Sequence, residues 1–459
     1  MTEGRNIFLE VHLPNATTWF YATLVLAVAL FFQFRRPFCL RNLDVLLLFL
    51  VMLPLLYLRE AQETRRLLPD LWEPRGVQVT LLLEYGCNVT RGPSMVGPVG
   101  LLTALPPPGE TYAKSYRGVW RAYLFLLIGT ACFLLRCFVD LVLRRRSHFK
   151  PNLSVGGLLW FVVALFVVMT LKTYLPELEP RPHADSRGLL LNELTQPFWE
   201  AALALTAHGL VVLGLIYVGA RHFQDFSLGV AVAVYYLLLP YTALHLAHLH
   251  HVAPAVLCLA AVAWYRHAGV AGICLGLATG VSYFPILLVP VWASFYFRRG
   301  MKRFLLGFFS VIVLLLALLL LLKGWQGAMQ SAWQRAEWQA WTFTARPQAE
   351  SLWTEVTGHG AYRVPLFLAH LLLMVGSVFW PSPKNLGHVL AWSVALILGV
   401  QFWYADAGGI YVLWYLPLLV LMVFRPTLSE CMPPTTPPPS RFLSLLRKAT
   451  NWLRRPRES

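Results

Sequence analysis

Apolar residues run along this chain in long blocks, not in alternation and not at an amphipathic helical spacing. Phe304–Leu322 is the clearest block, with no charge anywhere in it. Blocks approaching twenty apolar residues are the pattern of membrane helices. Short basic clusters punctuate them: Arg35, Arg36 and Arg41; Arg144–Arg146 with Lys150; Arg298, Arg299, Lys302 and Arg303; and a tail from Arg441 to Arg457. Lys and Arg concentrate in cytoplasmic loops, so these clusters belong on one side. Under that constraint the chain divides into about thirteen spans, at 18–35, 43–58, 118–142, 155–173, 198–219, 226–246, 252–266, 268–281, 284–298, 304–322, 364–380, 386–404 and 410–424. The predicted fold class is all-α: a polytopic membrane helical bundle of about 11–13 transmembrane helices. Its N-terminus is expected outside the cell or inner membrane and its C-terminus in the cytoplasm.

Arg266 and Arg298 both call for the cytoplasmic side, so the chain must turn back between 268–281 and 284–298. Ser282-Tyr283-Phe284-Pro285 is the natural turn, because Pro disfavours helix at the residue before it. Non-helical backbone at membrane depth is tolerated only where it is buried in protein or lines a cavity. The outer face then carries three loops with juxtamembrane helices, 59–117, 174–197 and 323–363, which hold most of the acidic residues. Residues 1–430 form the transmembrane domain, and 431–459 a Pro-rich linker with a basic tail. In that tail Phe442, Leu443, Leu445, Leu446 and Trp452 alternate with Arg447, Lys448, Arg454 and Arg455. This reads as an amphipathic helix on anionic membrane lipid or as a disordered basic tail.

Composition sharpens the class. Charged residues make up 13% of the chain, against roughly 25% in soluble domains. The net charge of +16 resides in the inter-helix clusters, so it implies a membrane surface and no nucleic acid. The seven cysteines include no CxxC pair and imply no disulfide framework. No cleavable signal peptide is expected: the first apolar stretch lacks a small-residue cleavage site.

Three polar features interrupt the apolar pattern. The first is ARPQAESLW, residues 345–353, in a loop spaced by Trp325, Trp333, Trp338, Trp341 and Trp353. Trp belongs at the membrane–water interface and its face also stacks on sugars. The loop reads as an interfacial helix and turn roofing a cavity, or as a lid that only anchors the outer surface. The second is the run His245, His248, His250 and His251. If helical, His245 and His248 share a face, but no Cys or carboxylate in the run completes a metal site. Substrate contact, chiefly by His248 and His251, and a polar helix cap are the other readings. The third is Glu84, which follows the largely apolar Val77–Leu83 and would place a carboxylate near the membrane surface.

AGICLGLATGVSYFPILLVPVWASFYFRRG, from Ala271 to Gly300, resembles a recurrent segment of the GT-C glycosyltransferases, in particular the polyprenyl-phosphate-mannose-dependent mannosyltransferases. YYLLLPYTALHLAHLHHVAPAVLCLAAVAWYRHAG, from Tyr235, is similar to the preceding helix pair of that family. ARPQAESLW resembles its external Arg-x-x-Gln-x-Glu-Ser segment, with Arg346 one residue closer to Gln348. YADAGGIYVLWYLPLLVL, from Tyr404, resembles its closing helix, with Gly409-Ile410 in place of Pro-Gln. The resemblance covers about 198–424.

It implies a GT-C-like fold and an inverting transfer of a hexosyl or mannosyl group. The donor would be a polyprenyl-phosphate-linked sugar, and the acceptor a glycan or lipid on the external face. A loop carboxylate would take the acceptor proton, and here Glu84, Asp70 and Glu193 compete for that role. The donor phosphate would be met by Arg346, whose guanidinium binds phosphate bidentately. Arg346 also has the simpler option of pairing with Glu350 one turn later. Gln348, Glu350, Ser282, Tyr283, His248 and His251 would line the substrate. Ser282 stands where the family has Lys, so one hydrogen bond replaces a charge. No cofactor and no metal ion are implied. An inactive GT-C relative serving as a membrane scaffold is one alternative. A lipid or solute transporter is another, although no inverted repeat is evident.

Overall fold

The computed structural model describes residues 16–59, 108–142, 151–174, 197–335, 353, 363–404, 408–428 and 431–434. Among the described residues every regular element is a helix. Five helices are long and apolar enough to cross a membrane: Leu40–Arg59, Gly118–Val142, Trp199–Arg221, Met301–Gln330 and Leu386–Trp403. Shorter apolar helices of 10–17 residues accompany them. This is the make-up of a helical membrane bundle.

In chain order the helices are α1 (Ala16–Phe31), α2 (Leu40–Leu50), α3 (Pro108–Val142), α4 (Val155–Tyr174), α5 (Pro197–Arg221), α6 (Phe226–Leu238) and α7 (Pro240–Leu244). Then come α8 (Leu249–Ala263), α9 (Ala268–Val281), a 3₁₀ turn (Phe284–Leu288), α10 (Val289–Phe295) and α11 (Met301–Arg335). The set closes with α12 (Arg363–Phe379), α13 (Leu386–Trp403), a 3₁₀ turn (Val412–Trp414) and α14 (Leu416–Phe424).

Local chemistry places several of the ends. Asp225 caps α6 by accepting from the Leu228 amide at 2.9 Å. Asn385 caps α13 with a reciprocal box: its side chain accepts from the His388 amide, and His388 Nδ1 accepts from the Asn385 amide. Such caps satisfy amides that a helix start leaves unpaired.

Three expected spans differ from the structure. The segment 226–246 is not one helix: Pro240 lacks an amide proton to bond back, so α6 stops at Leu238 and α7 begins anew. The segment 284–298 divides into a 3₁₀ turn and the short α10, with Pro285 and Pro290 each in a first turn. The segment 410–424 is helical in the α sense only from Leu416, after the 3₁₀ turn. The expected span 304–322 ends where the structure breaks: α11 is two helices joined at Gly324, whose φ of 65° and ψ of 178° are not helical.

Among the described residues, the turns that carry Arg35–Arg41 and Arg298–Arg303 gather at one end of the bundle. Asn152, just before α4, donates to the carbonyls of Ala29 and Phe32 at the end of α1, at 2.9 and 3.2 Å. Leu386 of α13 donates its amide to the Cys431 carbonyl at 2.8 Å. His222 after α5 bonds the Ala263 carbonyl of α8 at 2.8 Å. Tyr296 after α10 donates to the Tyr265 carbonyl. Arg299 reaches the Pro433 carbonyl at 3.4 Å, so the first residues of the Pro-rich linker are packed on the bundle.

At this end lies a buried ionic network. Arg136 of α3 engages Asp44 of α2 bidentately, with Nη2 to Oδ2 at 2.8 Å, and donates to Asp140 one turn on at 3.2 Å. Arg425, just after α14, closes on the other Asp140 oxygen at 2.7 Å. All four side chains are buried. Among the described residues two carboxylates face two guanidinium groups here, and forked geometry satisfies several donors at once. Gly387 makes room for this: a Cβ there would lie 2.6 Å from the Arg425 Cζ.

Helices α9 and α11 pack backbone to backbone. Gly272 faces the Phe304 carbonyl, and a Cβ on Gly276 would lie 2.9 Å from the Phe308 carbonyl. Small residues allow this approach, as at many membrane helix crossings.

Candidate functional site

The opposite end is built from helices that stop short. Helices α6, α8 and α9 have 13, 15 and 14 residues. At 1.5 Å per residue they rise about 20–23 Å, less than the roughly 30 Å hydrocarbon core. Helix α3 has 35 residues and extends well beyond them. Starting from the shared basic end, the short helices therefore finish recessed below the end of α3.

The polar and aromatic residues collect there. His245 caps α7 and His248 caps α8, so the His run crosses a chain break. The shared helix face expected for His245 and His248 is thus not formed, because the backbone between them turns. The rings still cluster: His245 stacks on His251 with centroids 4.5 Å apart, and His250 lies 4.3 Å from His251. His248 meets His251 edge-on at 5.7 Å. Among the described residues no three His, Cys, Asp or Glu are placed to hold a metal ion.

His251 continues into an aromatic column. It stacks on Tyr411 at 5.2 Å, Tyr411 on Trp414 at 4.2 Å, and Trp414 on Phe284 at 4.5 Å. Tyr404 lies 5.6 Å from Tyr411 and 5.7 Å from Tyr283. The column is buried, whereas His245, His248, His250, Ser282 and Tyr283 are half-buried around it. Ser282 ends α9 in extended conformation, so the expected turn at 282–285 is present. Four of the expected site residues, His248, His251, Ser282 and Tyr283, therefore frame one recess.

Glu84, Asp70, Glu193, Arg346, Gln348 and Glu350 lie outside the described residues. Trp353, the last residue of ARPQAESLW, is described: its indole donates to the Phe402 carbonyl of α13 at 3.1 Å. Trp353 therefore lies at the same end of α13 as Trp403 and Tyr404.

The sequence reading did not single out Tyr404, Tyr411, Trp414 or Arg363. Tyr404 ends one expected span, 386–404, and Tyr411 and Trp414 lie in the next, 410–424, so all three read as plain span residues. A Cβ on Gly408 would lie 2.6 Å from the Gln401 carbonyl, and Gln401 accepts from the Gly409 amide at 2.8 Å. This fold-back brings Tyr411 to the histidines. Arg363 is fully buried in the first turn of α12. One turn on, Phe367 packs edge-on against Trp403 at 5.0 Å. Arg363 therefore lies at the same end of α12 as its contact with the end of α13.

Aromatic faces and imidazoles offer stacking and hydrogen bonds to a hydroxylated ring, in a site only partly open to water. Comparison with protein-family models, with curated proteins and with solved structures finds no match.

Proposed function

We propose that the protein is a multi-pass membrane glycosyltransferase that moves a hexosyl or mannosyl group from a polyprenyl-phosphate donor to a glycan or lipid acceptor. One observation carries this reading. The His run, the turn at Ser282–Pro285 and the segment 404–415 are far apart in the chain yet meet in one recess, and they are segments through which the sequence resembles GT-C transferases. A lipid donor would enter sideways, its sugar against the Tyr and His rings and its phosphate toward Ser282 and the arginines. The acid that takes the acceptor proton would come from the 59–117 or 174–197 loop.

The test is transfer of labelled sugar from a polyprenyl-phosphate donor by the purified protein in lipid vesicles. Tyr283→Ala is expected to lower kcat/KM about tenfold, the loss of one aromatic contact. An unchanged value would remove the recess from the donor path. The substitution of Ser282 for the family Lys favours one second reading, an inactive relative acting as a scaffold. It predicts donor binding without transfer.

In this reading the basic end is cytoplasmic and the recess faces outward. A cysteine introduced at Ser147 is then expected to be protected from an impermeant thiol reagent in intact cells, and one at Ala349 to react. Labelling at Ser147 would reverse the arrangement.

A further inference from the structure

At the basic end the α8–α9 turn and the α10–α11 turn touch. Gly300, at φ +123°, faces Ala268, and a Cβ there would come within 3.2 Å of the Ala268 Cβ. Gly307 in the second turn of α11 faces the Gly269 carbonyl. The two turns together carry Arg266, His267, Arg298, Arg299, Lys302 and Arg303, and their sequences contain no carboxylate. Arg299 is half-buried and held by the Pro433 carbonyl. Arg266 donates to the Tyr265 hydroxyl at 3.3 Å. Arg298, Lys302 and Arg303 are exposed. Arg298 adopts a left-handed φ of 59°, uncommon for a side chain with a Cβ, and lies 5.3 Å over the Phe297 ring. Arg298, Lys302 and Arg303 are thus carried with the exposed Arg266 on two packed turns, where the start of α11 adds its own positive dipole.

Two further features define what would neutralise them. Trp264 and Phe297 are about half exposed beside the cations, as aromatic residues are at headgroup level. Directly along α11, Leu306, Phe309 and Val313 are exposed and form an apolar strip. A free anion has no use for that strip, whereas an acyl chain does. We propose that these two turns bind the headgroup of an anionic phospholipid, with Arg298, Lys302 and Arg303 around its phosphate and its chains along α11. Basic sites between membrane helices recognise such headgroups by this chemistry. The proposal is independent of sugar transfer.

The experiment uses the full chain, purified in a neutral detergent and titrated with phosphatidylglycerol or phosphatidylcholine, with bound lipid read by native mass spectrometry. Phosphatidylglycerol is expected to bind preferentially. R298Q/K302Q/R303Q is expected to weaken it by about 100-fold, given the usual contribution per basic residue. R35Q/R36Q/R221Q removes the same charge elsewhere on the basic end and is expected to leave binding within about threefold of the native value, since those residues lie outside the site. Equal losses in the two variants would overturn the proposal, as would equal binding of phosphatidylcholine. Competition by inorganic phosphate at matched concentration would overturn the lipid assignment.

Discussion

Asp140→Ala is expected to destabilise the protein by about 3–5 kcal/mol, the cost of breaking a buried ion pair from one side. Asp140 is fully buried and accepts from Arg136 at 3.2 Å and from Arg425 at 2.7 Å. Without it Arg425 keeps, among the described residues, only a long contact to the Pro426 carbonyl at 3.5 Å. Arg136 keeps its fork on Asp44. The damage should therefore concentrate at Arg425, and Asp140→Ala combined with Arg425→Met should be less destabilised than the sum of the two single variants. The measurement is thermal or denaturant unfolding in detergent across the full double-mutant cycle. Strict additivity would mean that the pair contributes nothing as a pair. An Asp140→Ala protein as stable as the native one would remove the network from the account of stability.

Glu84→Gln is expected to lower sugar transfer by roughly 10²–10⁴-fold, the usual loss on removing a general base. The amide keeps the shape of the side chain and loses its basicity, so donor binding should persist. Glu84 lies outside the described residues, and the expectation rests on the resemblance and on its place after an apolar stretch. Arg346→Ala should act in the complementary way, weakening donor binding, and Arg346→Lys should rescue only in part because a point charge does not replace a fork. Full activity in Glu84→Gln would move the search to Asp70 and Glu193. No transfer by the native protein, with donor still bound, would favour the inactive relative instead.

Much of the helical plan was legible in the sequence. The segments 155–173, 268–281 and 386–404 match α4, α9 and α13 to within a residue, because in each an apolar block is bounded by polar or turn residues. The breaks inside apolar runs were not legible in the same way. Leu239-Pro240 interrupts what reads as one span, and the 3₁₀ turn at Val412–Trp414 sits inside another. Hydropathy registers grease, and at these places the chain stays greasy while it turns.

The candidate site divides along the same line. Ser282, Tyr283 and the histidines stand out as polarity at membrane depth. Tyr411 and Trp414 do not, because an aromatic ring in an apolar run reads equally as lipid-facing. The ionic network was half legible. Arg136 and Asp140 are conspicuous in a span, but their partners Asp44 and Arg425 lie 92 and 285 residues away in sequence. Only the folded chain shows that they meet.

That last separation has a consequence for how the protein is made. Asp140 leaves the ribosome 285 residues before Arg425. At about 5–20 residues per second this interval is on the order of 15–60 s. Through all of it Asp44, Arg136 and Asp140 have two carboxylates and one guanidinium among them. The two bonds that Arg425 gives the second Asp140 oxygen therefore form only when the last helix arrives. A chain released before Arg425 lacks them, and with them the tie between α3 and the end of α14.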